Sequence, residues 1–216
     1  MPTVVDTVVL HYFLVADRAE LLLELLDSPV GMPRIVFDPD DDEGREIGVS
    51  ELRRNIRYER RLANEAAPDD GDDVARELED ARASAETRVQ RLCQIGDLVA
   101  DGRIEVLDLT EEEQEMSAQL ASSEPDPALG LLVALDDGEA ACVAIAIERR
   151  WTLATDDTDA LRVLDRLAPS HPYERIRRLL IRAANDGLIT ETEANDIHAV
   201  MTRAGFWDRT RPFPEP

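Results

Sequence analysis

Carboxylates set beside apolar sequence are the residues of this chain best suited to chemistry. Four stretches carry them, at residues 3–7, 49–52, 137–141 and 153–157, and the acids concerned are Asp6, Glu51, Glu139, Asp156 and Asp157. An ionised carboxylate loses its hydration on burial, so it is costly there without a partner. A fold that collects several of them needs a positive group among them, and Mg²⁺ and Mn²⁺ prefer oxygen ligands. The motifs therefore predict a divalent-cation site.

Each acid also has a simpler structural interpretation that the sequence leaves open. Asp6 could turn the chain or cap the next segment, although its valine-rich surroundings favour a buried, functional position. Glu139 could serve only the dipole of the helix that it opens. Asp136 and Asp137 could already fill that role, and Gly138 beside them permits a close approach of backbone or ligand.

The remaining acids and the arginines are open to the same two interpretations. Only one of Asp156 and Asp157 is needed to cap the following helix, so the other is available to a cation. Glu51 begins an arginine-rich helix and is equally well explained by surface ion pairs. Two groups of arginines are candidates for phosphate contacts: Arg53, Arg57, Arg60 and Arg61, and Arg175, Arg178 and Arg182. For both groups, surface ion pairs of small energy explain the arginines better than phosphate contacts do.

The overall charge is strongly negative. The 216 residues include 47 acidic and 24 basic residues, a formal net charge of −23, and every basic residue is arginine. Such a surface repels phosphate at long range and argues against a protein that coats nucleic acid. A G+C-rich gene and a host with high internal salt would each explain the composition.

Nothing in the sequence indicates a membrane or an export route. No apolar run approaches the ~20 residues that a membrane span needs, and the N-terminus lacks the pattern of a secretory signal. Cys93 and Cys142 have no metal-type spacing, and Cys142 lies in an apolar stretch that predicts burial. A cytoplasmic, reduced protein is the expectation.

Strands that alternate with helices predict an α/β fold with a parallel sheet covered on both faces. We expect strands at 3–9, 34–37, 104–109 and 151–155, and helices at 17–26, 51–65, 73–99, 111–122, 137–150, 158–167, 173–185 and 191–203. Capping-box patterns at Thr110 and Thr190 mark two of the helix starts. Sites in parallel sheets form beyond the carboxyl ends of the strands, so Asp6 and Asp156 are expected near Glu139.

At its acidic motifs the chain resembles a PIN-type nuclease domain, and more narrowly the toxin-like branch related to the VapC ribonucleases. Val4-Val5-Asp6-Thr7 resembles the family's first-strand acid. The other matching stretches are residues 137–146 for its Gly-Glu-Ala-rich helix, 153–162 for its acidic strand end, and 186–189 with 201–207 for its C-terminal helical hairpin. Residues 60–100 are longer and more acidic than the family usually shows, and Glu51 matches the second acid only loosely.

The resemblance implies a three-layer α/β/α domain with a central, mainly parallel sheet over residues 1–208. A charged helical insertion at about 66–100, a C-terminal helical hairpin and a loose tail at 209–216 complete this expectation. The implied activity is that of an Mg²⁺- or Mn²⁺-dependent endoribonuclease, the toxin of a toxin–antitoxin pair. Asp6, Glu139 and Asp156 would be catalytic and would bind the metal, with Asp157 and Glu51 completing the site. Expected partners are RNA, a small antitoxin protein and a second copy of the chain.

Two other function classes remain open. A catalytically inactive module of the same fold would use the charged region 73–99 as a contact surface. A phosphatase with an Asp nucleophile is suggested by Asp6 and Thr7, but Val8 stands where the haloacid-dehalogenase type has its second Asp. A Gly-rich phosphate loop is missing, and the three histidines show no zinc spacing.

Overall fold

The computed structural model describes residues 1–26, 28–37, 94–122 and 134–214. Within these residues five strands form one parallel sheet: β1 (Thr3–Val5), β2 (Val30–Pro33), β3 (Glu105–Leu107), β4 (Thr152–Ala154) and β5 (Tyr173–Glu174). The order across the sheet is β3-β2-β1-β4-β5. The chain is therefore an α/β protein, as the alternation of strands and helices predicted.

The first strand lies in the middle of the sheet, and the chain extends the sheet in both directions from it. β1 pairs with β2 on one side and with β4 on the other, with Val5 opposite Ala154. In open parallel sheets, the reversal of strand order leaves a crevice beyond the carboxyl ends of the strands. Here the reversal falls between β1 and β4, whose next residues are Asp6 and Thr155.

Seven helices have both ends among the described residues. They are α1 (Thr7–Val15), α2 (Ala19–Leu25), α3 (Glu111–Leu120), α4 (Asp137–Arg149), α5 (Thr158–Leu167), α6 (Ile176–Asn185) and α7 (Glu191–Arg203); residues 94–100 are also helical. The capping boxes at Thr110 and Thr190 are both formed, with the glutamate three residues on bonded to the backbone of the threonine. These helix starts are confirmed.

Apolar side chains pack on both faces of the sheet because neighbouring strand residues point to opposite sides. Val5 belongs to a cluster with side chains of α1, α2, α6 and α7, and Val4 belongs to a second cluster with α3, α4 and α5. Residues 140–146 of α4 are at most 1% exposed. The helix is buried on all sides here because this stretch has no polar face.

Three local predictions are wrong, and each concerns a short element. The first strand ends at Val5, and residues 7–9 begin α1 instead of continuing the strand. The strand expected at 34–37 lies earlier, at Val30–Pro33, and residues 34–36 form a turn. Tyr173, expected to begin a helix, lies in β5, and that helix begins at Ile176.

The far C-terminal segment is attached to α6 and α7. The amide of Phe213 donates to Oδ1 of Asn195 at 3.1 Å, and Nδ2 of Asn195 donates back to the carbonyl of Phe213 at 3.2 Å. Nε of Arg177 donates to the carbonyl of Arg211 at 3.2 Å. These bonds fall within the tail expected at 209–216.

Along the described part of the chain, none of the helices has the length and apolar character to cross a membrane.

Candidate functional site

Asp6 lies just beyond the end of β1, at the N-terminus of α1, and is 5% exposed. Its amide donates to the carbonyl of Ala154 at 2.9 Å, which continues the pairing of β1 with β4. The carboxylate does not cap α1. Instead its Oδ2 accepts a hydrogen bond of 2.7 Å from the hydroxyl of Thr155. The capping interpretation of the Asp6 side chain is therefore wrong. The carboxylate is held instead at the carboxyl ends of β1 and β4.

Thr155 connects the carboxyl ends of β1 and β4. Its side chain is buried, and its hydroxyl also accepts a hydrogen bond of 3.1 Å from the amide of Asp157. One hydroxyl thus sets the position of Asp6 and the start of the segment that carries Asp157. The sequence motif contained Thr155, but only its neighbours were singled out. A hydroxyl between a buried strand and an acidic pair was the signal that could have identified it.

Asp157 is the member of the adjacent pair that caps α5. Its Oδ1 accepts from the amide of Ala160 at 2.7 Å, and Asp157 itself is part-buried. Only Oδ1 takes part in this cap. The residue therefore combines a fixed position with a carboxylate oxygen that the cap does not use.

Asp156 is turned towards α6 and is 1% exposed. Its Oδ1 accepts from Nε of Arg175 at 3.0 Å, and its Oδ2 accepts from the amide of Ile176 at 2.6 Å. Burial raises the pKa of Asp156, and the bonds from Ile176 and Arg175 oppose that rise. Both oxygens hold donors that position the first turn of α6, so this acid has a structural partner set of its own.

Glu139 lies in the first turn of α4, where it forms a capping box with Asp136. Its Oε2 accepts from the amide of Asp136 at 3.3 Å, and the residue is half-buried. The pKa of Glu139 is raised to about 8, chiefly by burial and also by the negative charges of Asp157 and Asp6. The structure therefore brings Asp6 and Asp157 within electrostatic reach of Glu139.

The two small residues near Glu139 have structural explanations. A Cβ added to Gly138 would lie 3.1 Å from Cγ2 of Val36, so this glycine allows helix α4 to pack closely on that valine. Sγ of Cys142 lies 3.9 Å from the carbonyl oxygen of Val5, the residue before Asp6. Burial raises the pKa of the Cys142 thiol well above its usual range, and Asp6 and Glu139 add to that rise. The predicted burial of Cys142 is thus confirmed.

The converging acids form a region of concentrated negative charge rather than a completed set of ligands. Among the residues that the structure describes, no group of three or more His, Cys, Asp or Glu side chains is arranged to hold a metal ion. The candidate ligand Glu51 lies outside the described residues. So does the first group of candidate phosphate contacts, which comprises Arg53, Arg57, Arg60 and Arg61.

Comparisons of the chain with protein-family models, curated proteins and solved structures found no match. The function proposed below therefore depends on the topology and chemistry of the site and on the resemblance of its motifs.

Proposed function

We propose that this chain is a divalent-cation-dependent phosphodiesterase that cleaves RNA, with the three-layer α/β/α fold of a PIN-type ribonuclease. The observation that carries the proposal is that Asp6 and Asp157, which follow β1 and β4 where the strand order reverses, lie within electrostatic reach of Glu139. Ligand sites of open parallel sheets lie at this point. The resemblance of the acidic motifs to the toxin-like PIN branch supports the same function.

The chemistry of these side chains suits a hard cation. Carboxylates are the ligands that Mg²⁺ and Mn²⁺ prefer, and neighbouring carboxylates repel one another until a positive charge lies between them. Burial, and then this repulsion, raise the pKa of Glu139. The residues that would hold the cation are thus Asp6, Glu139 and Asp157. Of the predicted ligands, Asp157 is kept and Asp156 is left out of this set, because both oxygens of Asp156 are bonded to Arg175 and Ile176 at the start of α6.

The residues of the site contribute position and charge to phosphodiester hydrolysis. A bound divalent cation would supply an activated water and neutralise the phosphate. Thr155 holds Asp6 by its hydroxyl, and the α5 cap holds Asp157. Glu139 must release its proton before it can act as a ligand, so it couples cation binding to pH. Thr155, the α5 cap and the α4 capping box thus hold the three acids in position through the fold itself.

The test is the loss of cation-dependent cleavage in Asp6→Asn. This variant removes a charge but keeps an oxygen that can accept from Thr155. We expect the wild type to cleave single-stranded RNA with Mg²⁺ or Mn²⁺, and we expect no cleavage by Asp6→Asn, with an unchanged circular dichroism spectrum. Asp159→Asn is the matched control because Asp159 pairs with Arg162 on the surface of α5. Cleavage that survives Asp6→Asn would refute the assignment.

Cellular context follows from the same proposal. An RNase of this type would act in the cytoplasm and be restrained by a small antitoxin protein. Such a partner could place a basic side chain among Asp6, Glu139 and Asp157, where it would take the position of the cation. A homodimer is part of the same expectation.

A catalytically inactive module of the same fold is the second candidate. It is favoured by one observation, namely that no three-ligand group is formed in residues 1–26, 28–37, 94–122 and 134–214. Thermal unfolding with increasing Mg²⁺ or Mn²⁺ separates the two. A melting temperature that rises with the divalent ion, but not with equal ionic strength of NaCl, supports the ribonuclease. An unchanged melting temperature supports the inactive module.

A further inference from the structure

Beside the acidic residues, Arg175 and Trp207 form a cation–π pair that the proposed chemistry does not use. The guanidinium carbon of Arg175 lies 5.3 Å from the centroid of the Trp207 ring. Trp207 is 56% exposed, although it is among the largest apolar side chains in the protein. The indole therefore presents much of its surface to solvent while Arg175 supports it.

Both members of the pair are held in place by the fold. Arg175 donates to the side chain of Asp156 from Nε and to the Asp156 carbonyl from Nη2, at 3.0 and 3.3 Å. Trp207 follows Phe206, which is 1% exposed and has its ring centroid 5.0 Å from that of Tyr12. An aromatic surface held in advance loses little conformational entropy when a ligand stacks on it. Arg175 is bonded to the residue immediately before Asp157, so the pair adjoins the acidic site.

Arginines accompany the pair along the chain. Arg177 lies in the first turn of α6, two residues after Arg175, and its Nε donates to the carbonyl of Arg211 at 3.2 Å, four residues after Trp207. Arg209 follows Trp207 by two residues, and Asp208 between them lies within electrostatic reach of Arg177. Arginine beside an open aromatic ring is the combination that binds single-stranded nucleic acid.

We propose that Trp207 and Arg175 form a stacking subsite for a base of single-stranded RNA, with the neighbouring arginines contacting its phosphates. The choice of RNA rests on the proposed function. A single strand fits because its bases expose the faces that a duplex hides. Removing one base–aromatic stack weakens binding by about 5- to 150-fold in proteins of this kind. We expect Trp207→Ala to weaken RNA binding within that range, and Trp207→Phe to keep most of the affinity.

The two tryptophans of the chain allow a direct optical test. The ring centroid of Trp151 lies 5.7 Å from the guanidinium carbon of Arg149. Trp151 precedes β4, however, so it lies at the opposite end of that strand from Asp156. In Asp6→Asn combined with Trp151→Phe, Trp207 is the remaining indole. We expect a short oligouridylate, added in EDTA, to quench its fluorescence. Asp6→Asn combined with Trp207→Phe retains Trp151 and should show no quenching.

Several outcomes would overturn the subsite. These are no quenching of Trp207 by the oligouridylate, equal affinity of Trp207→Ala and its parent, or equal quenching by polyglutamate, which would indicate an acidic polypeptide as the partner. The proposed function fails differently. Quenching of Trp207 without any cation-dependent cleavage by the wild type would keep the subsite and refute the ribonuclease. Cleavage by Trp207→Ala with unchanged RNA affinity would do the reverse.

Discussion

The hydroxyl of Thr155 donates a hydrogen bond of 2.7 Å to Oδ2 of Asp6, across the junction between β4 and β1. The hydroxyl oxygen of Thr155 in turn accepts a hydrogen bond of 3.1 Å from the amide of Asp157. Two of the converging acids are therefore positioned through one buried side chain. This relationship makes Thr155 the position at which the fold and the site can be tested together.

Replacing Thr155 by valine should weaken both. The shapes are similar, but valine leaves an oxygen of Asp6 and the amide of Asp157 without this partner, which we expect to lower the free energy of unfolding by about 1–3 kcal/mol. Urea unfolding measures the loss, and RNA cleavage should fall at the same time. Thr155→Ser keeps the hydroxyl and should recover most of both. A valine variant with wild-type stability and activity would show that the hydroxyl does not position the acids.

Asp156 and Asp157 should respond in opposite ways to replacement by asparagine. Asp157→Asn keeps an oxygen for the α5 cap, and Asn caps helices as well as Asp. We expect unchanged stability and weaker Mn²⁺ binding by isothermal titration. Asp156→Asn loses the charge that holds Arg175 and the Ile176 amide, and should cost about 1.5–3 kcal/mol.

Mn²⁺ affinity of the folded Asp156→Asn protein should stay close to that of the wild type. The reverse pattern, in which Asp156→Asn abolishes cation binding and Asp157→Asn does not, would restore Asp156 as the ligand.

Glu139 should make the cation-free protein less stable as pH rises. Its pKa is about 8 in the folded protein against an ordinary value of 4.5. Between these values the folded state binds more protons than the unfolded state, so the free energy of unfolding falls as pH increases. We expect Glu139→Gln to remove this fall, and Mg²⁺ to oppose it in the wild type.

Unfolding in EDTA at a series of pH values from 5 to 9 measures the effect as the difference between wild type and Glu139→Gln. Glu115→Gln is the control, because Glu115 is exposed on α3. Parallel curves for wild type and Glu139→Gln would contradict the raised pKa.

The ion pair of Glu113 and Arg149 should contribute to stability alone. Glu113 is 1% exposed and accepts from Nε of Arg149 at 2.6 Å and from Nη2 at 2.8 Å. Arg149→Met leaves the buried Glu113 carboxylate without this ion pair and should lower the free energy of unfolding by about 3 kcal/mol. This value is the lower end of the range for broken buried pairs, because Arg149 is partly exposed. Arg162→Met breaks the exposed pair with Asp159 and should change it by about 1 kcal/mol or less.

The arginine bond also lowers the pKa of Glu113. The stabilisation from Glu113 is present above its unfolded pKa and is lost as pH falls through its folded pKa. Arg149→Met should therefore flatten the acid limb of a stability–pH curve. Equal loss of stability from wild type and variant on acidification would contradict this account of the pair.

The elements that were predictable from the sequence are those with local signals. Thr110, Asp157 and Thr190 cap helices through bonds that span three residues, and the sequence contains both partners of each bond. The helix α1 lacked such a signal because Thr7–Val15 is apolar on nearly all sides, and a short apolar run fits strand and helix equally. Strand β5 has two residues, and its pairing with β4 exists only in the folded chain.

The candidate site was predictable in its acids but not in their division of labour. Composition and position singled out Asp6, Glu139, Asp156 and Asp157 because carboxylates are rare beside buried strands. The choice between the adjacent aspartates depends on Arg175 and Ile176, which lie 19 and 20 residues further along. No local pattern links such distant residues, so the partner of Asp156 could only be found in three dimensions.

The double hydrogen bonding of Asp156 has a consequence for how this protein can diverge. A lineage could exchange Asp157 for asparagine and lose the proposed cation site while its architecture persisted, whereas a change at Asp156 would be selected against for folding alone. Retention of an acid at position 156 among descendants would then say nothing about whether they keep that proposed site, and the diagnostic position would be its neighbour.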